Sequence, residues 1–145
     1  MEDIKEEIVQ YLSKRKFITL ATTTSLGEPL THTVAYINKG STVYFSTGKQ
    51  TRKVKNIAIN PNVAYSIYDT TEHLDEIRSL QMEGKATLVI DKNESKETLK
   101  ILKQKFPSMA FMPIDSDAVI VKITPKTCYF SDYNKRFGSR DKVDF

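Results

Sequence analysis

Residues 44–69 read YFSTGKQTRKVKNIAINPNVAYSIYD, and this stretch decides the fold. Its order is strand, loop, short helix, strand. The strand Thr42–Thr47 leads into a loop, and Thr51 is placed to cap a helix over 51–59 through its hydroxyl. Val54, Ile57 and Ala58 fall at helical spacing and predict the buried face. Asn60-Pro61 stops the helix, and Asn62–Tyr68 returns to strand.

The charge on this stretch is unusual. Arg52 and Lys53 occupy the first helical positions, and no Asp or Glu occurs between 46 and 68. The N-terminal end of a helix is already partly positive, so cations there are unfavourable unless an anion joins them. A phosphate group suits the position, because it accepts from backbone N–H groups, from the Ser46 and Thr51 hydroxyls, and from charged donors. A solvated basic helix end is the plainer reading of the same residues.

Working outward, residues 2–16 predict an amphipathic helix, with Ile4, Ile8, Tyr11 and Leu12 on one face. Phe17–Thr24 and Leu30–Ile37 predict strands joined by a turn at Gly27, and with Thr42–Thr47 they suggest a three-stranded antiparallel meander. Residues 70–77 form a polar connection. Arg78–Asp91 is a long strand with Gly84 marking a bulge or a close backbone approach. Asn93 caps a helix over 93–106 with Leu99, Leu102 and Phe106 on its apolar face. Residues 107–117 are a loop with two prolines. Ala118–Thr124 and Lys126–Asp132 are two further strands, and a basic tail over 133–145 ends the chain. Six or seven short strands joined in sequence are best hidden in a closed or nearly closed antiparallel barrel with peripheral helices, a mainly β fold.

The chain has 145 residues, 39% hydrophobic and 28% charged, which suits one domain over 1–145 with a real core. No apolar run is long enough to cross a bilayer. The acidic, amphipathic start is unlike a secretory signal, and the lone Cys128 cannot form an internal disulfide, so the expected location is cytoplasmic. The net charge of +4 fits a phosphorylated ligand as well as nucleic acid. Single-stranded nucleic-acid binding needs aromatics among the cations, and residues 49–59 contain none.

Four stretches in this order, FITLATTTSLGEPLTHTVAY, the opening segment, LQMEGKATLV and ITPKTCYFSDYNKRFG, resemble the flavin-binding split-barrel proteins. More narrowly, they are similar to small relatives of pyridoxamine 5′-phosphate oxidase, including general stress proteins. The resemblance covers about residues 5 to 138. It implies a six-stranded split β-barrel, a homodimer, and FMN at the dimer interface, with deazaflavin, haem or no cofactor in some relatives. It implies a phosphate site at Ser46, Thr47, Thr51, Arg52 and Lys53, and a flavin ring against Thr33, Val34, Ala35 and Tyr36. Gln81 matches a polar residue that the partner subunit often supplies, and Phe137 and Arg140 are weaker candidates for covering the site. The chain departs from the pyridoxamine phosphate oxidases in having no C-terminal Arg and His pair. It carries Cys128 where many relatives have Trp.

The remaining candidates read more plainly. His32 is expected as a packed or half-exposed strand residue, His73 as an exposed loop residue, and Cys128 as a small strand hydrophobe. No nucleophile–base pair, carboxylate pair or metal-type spacing stands out, so any chemistry would belong to the cofactor. A substrate is not specified by the sequence; the reaction class implied is flavin-dependent electron transfer.

Overall fold

The computed structural model describes residues 3–112 and 117–145. The elements in chain order are α1 (Ile4–Ser13), β1 (Phe17–Thr23), β2 (Pro29–Ala35), β3 (Ile37–Lys39), β4 (Thr42–Gly48) and α2 (Arg52–Ile59). Then come β5 (Asn62–Tyr68), β6 (Arg78–Leu88), α3 (Lys92–Lys105), β7 (Ala118–Asp132) and β8 (Arg140–Asp144). The fold is mainly β: an antiparallel, curled half-barrel of the split-barrel type, in the order β2-β1-β5-β6-β7-β4-β3.

Eight strand segments form where six or seven were expected, through two gains and one merger. The stretch read as one strand over 30–37 is interrupted at Tyr36. Its first part pairs with β1 and its continuation, β3, pairs with β4. The tail, read as irregular, supplies β8. The two strands read separately on either side of Pro125 are one strand, β7. Its first half pairs with β4 and its second half with β8, while β6 runs along its other side. The simple meander does not form either, because β4 lies beside β7 and not beside β2.

Tyr36 explains the interruption. Its side chain is fully buried, its hydroxyl donates to the Leu12 carbonyl at the end of α1, and its backbone N–H donates to the Lys16 carbonyl. These bonds pull the chain from one edge of the sheet to the other. β2 and β3 are therefore the two ends of the sheet path and also neighbours in sequence. Beyond β3, the rest of β4 faces β2 without pairing to it, and this is the split.

The core follows the two-residue period of the strands. Ile18 and Leu20 of β1, Val63, Tyr65 and Ile67 of β5, Leu80 and Met82 of β6, and Cys128 and Phe130 of β7 all point inward. The helix over 2–16 shortens to α1, with residue 2 outside the described residues. Asp3 caps it by accepting from the Lys5 N–H. Ile8, Tyr11 and Leu12 seal one end of the barrel as expected. Each such aliphatic side chain contributes about 1.5–3 kcal/mol before conformational entropy is counted. Tyr11 meets Phe130 edge-on at 5.2 Å.

Gly84 sits at the irregularity where β6 shifts register against β7, and Lys126 is the extra residue of that bulge. A Cβ at Gly84 would lie 2.5 Å from the Thr124 carbonyl oxygen, so the strands approach this closely because nothing is there. In α3 the cap is Asp91, not Asn93: its carboxylate accepts from the Glu94 N–H at 2.9 Å. Asp91 wins because it stands three residues before that free N–H, whereas Asn93 is already inside the first turn. Residues 107–111 form a short 3₁₀ turn, and Pro113 of the expected loop lies outside the described residues.

Candidate functional site

The site develops from β4 and α2. Ser46 and Thr47 lie in the part of β4 left unpaired on the β2 side. The chain turns through Gly48–Gln50 and enters α2, which packs across β1 beside the split. Val54 and Ile57 are buried as expected, but Ala58 is exposed and Asn56 takes the third buried position. The reason is a hydrogen bond: the Asn56 amide donates to the Thr22 hydroxyl at 3.0 Å, and Asn60 makes the same contact with Thr23. An amide at one helical turn fixes the direction in which the first turn of α2 points. Helical spacing alone gives no sign of this.

Thr51 stands at the N-cap with extended backbone, but its hydroxyl does not cap the helix. It donates to the Gly48 carbonyl at 2.9 Å instead. The first turn of α2 therefore has no side-chain acceptor from its own cap. Among the described residues neither Arg52 nor Lys53 has an ion-pair partner. Arg52 is exposed. Lys53 is half-buried, and this burial lowers the basicity of its amine. A partly desolvated cation and open N–H groups are thus brought to one helix end, with no ion-pair partner for the cations among the described residues.

What they face is a cleft of about 260 Å³ in the split. Thr33, Val34 and Ala35 of β2, Ser46 and Thr47 of β4, and Lys53 of α2 line it. Leu102 of α3 and Met109 of the following turn close its far side. Leu102 was legible as an apolar helix position but not as part of a site, and nothing in the sequence marks Met109. Thr51 and Arg52 stand at the helix end beside the cleft. Tyr36 faces the interior and is not among the cleft residues; Lys105 lies over its ring at 4.1 Å.

Gln81 is elsewhere. Register places it on the outward face in one row with Thr33, Thr19, Ser66 and Tyr129. It is three strands from Thr33, roughly 14 Å by ordinary strand spacing. A second, shallower cleft of about 500 Å³ covers this face, lined by Thr19, Thr31, Ser66, Gln81, Tyr129 and Arg140 among others. The Arg140 guanidinium lies over the Tyr129 ring at 4.4 Å. Phe137 is exposed and contacts Tyr133 at 5.4 Å. So the split cleft and the outer cleft flank β2, and one chain does not bring Gln81 to Lys53.

His32 lies on the inward side of β2, opposite Leu20. Its Nε2 is buried and has no hydrogen-bond partner among the described residues. Burial first, and then the charges of Lys53 and Arg52, hold the imidazole below its ordinary pKa. His73 is an exposed loop residue as expected. Cys128 is fully buried, and burial pushes its thiol up to about 12, which makes it inert as a nucleophile. No group of His, Cys, Asp and Glu able to hold a metal ion occurs among the described residues. No helix among them is long and apolar enough to cross a membrane.

The sequence profile of the pyridoxamine 5′-phosphate oxidase family matches residues 4–132. The chain belongs to that family. Among relatives of the pyridoxamine 5′-phosphate oxidase family it is similar to general stress protein 26 of Bacillus subtilis (strain 168), 29% identical over 126 residues, which are 86% of each chain. Its fold is that of a candidate pyridoxamine 5′-phosphate oxidase from Listeria innocua, with TM-score 0.74 and 22% identity over 88% of this chain and 98% of the other. It is equally that of a heme binding protein from Mycobacterium smegmatis, with TM-score 0.83 and 15% identity. There the match takes 99% of this chain but 59% of the longer protein.

Proposed function

We propose that the protein binds FMN as a homodimer and works as a flavin-dependent oxidoreductase. One observation carries the reading: residues of β2, β4 and α2 line a single cleft whose polar groups are hydroxyls and a cation. That donor set fits a phosphate monoester. Ser46, Thr47 and Thr33 offer hydroxyls, Lys53 and Arg52 offer charge, and the uncapped first turn of α2 offers N–H groups. The volume, at or below the low end for small-molecule sites, suits the phosphate end of the ligand and leaves the ring to be covered from outside. In this reading the partner's outer face supplies that cover, with Gln81, Tyr129 and Arg140 on it. FMN when bound supplies hydride and electron transfer. The chain's own part is to hold the phosphate, to set the ring against β2 and to keep water from it.

The test is an absorption spectrum with added ligand. The purified protein should be yellow or take up FMN in equal amount. A colourless protein that ignores FMN overturns the reading. Arg52→Ala with Lys53→Ala should weaken FMN at least tenfold and leave riboflavin within about twofold, because only FMN carries the charged group.

The likeness to a heme binding protein supports a second reading, haem in the same fold. The chain has two histidines as imidazole ligands, and one of these, His32, is turned inward. A Soret band after haem addition, with no flavin uptake, would favour it.

A further inference from the structure

We infer that His32 is a proton-coupled third cation behind the split cleft: it takes up a proton when a phosphate monoester seats against Lys53 and Arg52. The inference rests on the FMN reading above and goes beyond it.

His32 is on the inward side of β2, and its register partner is Leu20. The neighbouring inward position of β1, Thr22, is bonded to Asn56 of α2. The imidazole therefore points to the same inward side as Thr22, which α2 holds through Asn56, one residue before the first of the β2 positions that line the cleft. Its Nε2 is buried and has no hydrogen-bond partner among the described residues. The charges that bear on it come from α2, Lys53 before Arg52, and both are positive. From β1 it meets Leu20. Further along the same inward row are Tyr65 of β5 and Cys128 of β7, which burial keeps protonated and neutral.

A histidine in this position has two different electrostatic settings. With the cleft empty, it faces two unpaired cations and stays neutral. With a dianion in place, those cations are neutralised and the net field at the imidazole favours the proton. Binding of the anion and of the proton must then help one another, because linkage is reciprocal. FMN affinity should accordingly gain strength in mildly acidic solution through His32 and not through the ligand alone.

Two measurements decide it. First, FMN dissociation constants are compared for the wild type and His32→Gln between about pH 5.5 and pH 8.5. The second ionisation of the phosphate, near pH 6, affects both proteins alike and cancels in their ratio. The variant should match the wild type at the alkaline end and be about fivefold weaker at the acidic end. Riboflavin, which has no phosphate, should show a ratio that does not change with pH. Second, the two imidazoles are titrated by NMR in the wild type, with His73 as the exposed reference. FMN should raise the His32 midpoint by about one unit.

A pH-independent ratio for FMN, or an unchanged or lowered His32 midpoint in the FMN complex, overturns the inference while the FMN reading stands. Wild-type protein that binds no FMN at any pH overturns the FMN reading, and this inference with it. If His32→Gln does not fold, the NMR titration of the wild type decides alone.

Discussion

At the scale of single residues, the chain leaves the His32 imidazole with a buried nitrogen that has no hydrogen-bond partner among the described residues, and it seals other reactive groups in the core. Cys128 is the clearest sealed case. A thiol held at about 12 in the folded state ionises from roughly 8.5 once unfolded. Its contribution to stability is therefore fully present below about pH 8.5 and is lost as pH rises toward 12. Urea titrations should show the wild type losing on the order of 3 kcal/mol more than Cys128→Val between about pH 8 and pH 11. Parallel loss in the two proteins would mean that the thiol is more hydrated than its burial indicates. Native protein should also resist thiol reagents until it unfolds. The site was legible at this scale where charge departed from expectation. Two cations at a helix start, with no acid for many residues around them, single out this helix end as a candidate anion site. Met109 was not legible, since its place depends on how a turn folds over the split.

At the scale of elements, two close fits set the frame. Gly84 lets β6 meet β7 at a distance that a methyl group would block. Gly84→Ala should cost about 1–3 kcal/mol in chemical denaturation, the usual penalty for forcing atoms into a filled space. A loss below about 0.5 kcal/mol would show that the bulge can relax. At the start of α3, Asp91→Ala should cost about 1 kcal/mol and Asn93→Ala almost nothing. The reverse order would restore the cap expected from sequence. The elements themselves were largely legible from periodicity, and the exceptions have local causes. Strand 30–37 was read through Tyr36 because an apolar tyrosine continues a strand pattern; only its bonds to α1 end β2 there. β8 was read as tail because Arg140–Asp144 is mostly charged, and it is held by pairing with β7 rather than by its own pattern. Asn56 hid among helix-compatible residues until Thr22 was seen beneath it.

At the scale of the whole molecule, α1 closes the barrel and is fastened by charge as well as by apolar contact. Arg15 grips Asp69 through two nitrogens, at 2.9 and 2.7 Å. The same guanidinium lies 3.6 Å over the Tyr11 ring, and the Tyr11 hydroxyl donates to Asp69. Glu7 meets Lys135 at 2.8 Å, and Arg78 lies between Glu7 and Asp132. The contacts are partly exposed, so a single surface pair is worth little. Asp69→Asn removes a carboxylate that serves three donors, and should lower stability by about 1–3 kcal/mol. Adding a saturating phosphate-bearing flavin should then recover part of the loss by mass action, whereas riboflavin should recover much less. Equal rescue by both flavins would remove the phosphate from the account.

Tyr36 gives this architecture a mechanical character. The two rims of the cleft belong to one uninterrupted run of backbone, and they diverge from a single buried residue, as the jaws of a clasp diverge from a shared pin. The spacing of the two rims is thus set from the hydrophobic interior, by a phenol outside the cleft lining that is anchored to the first helix. Loosening that anchor would alter which molecules enter without changing any surface they touch.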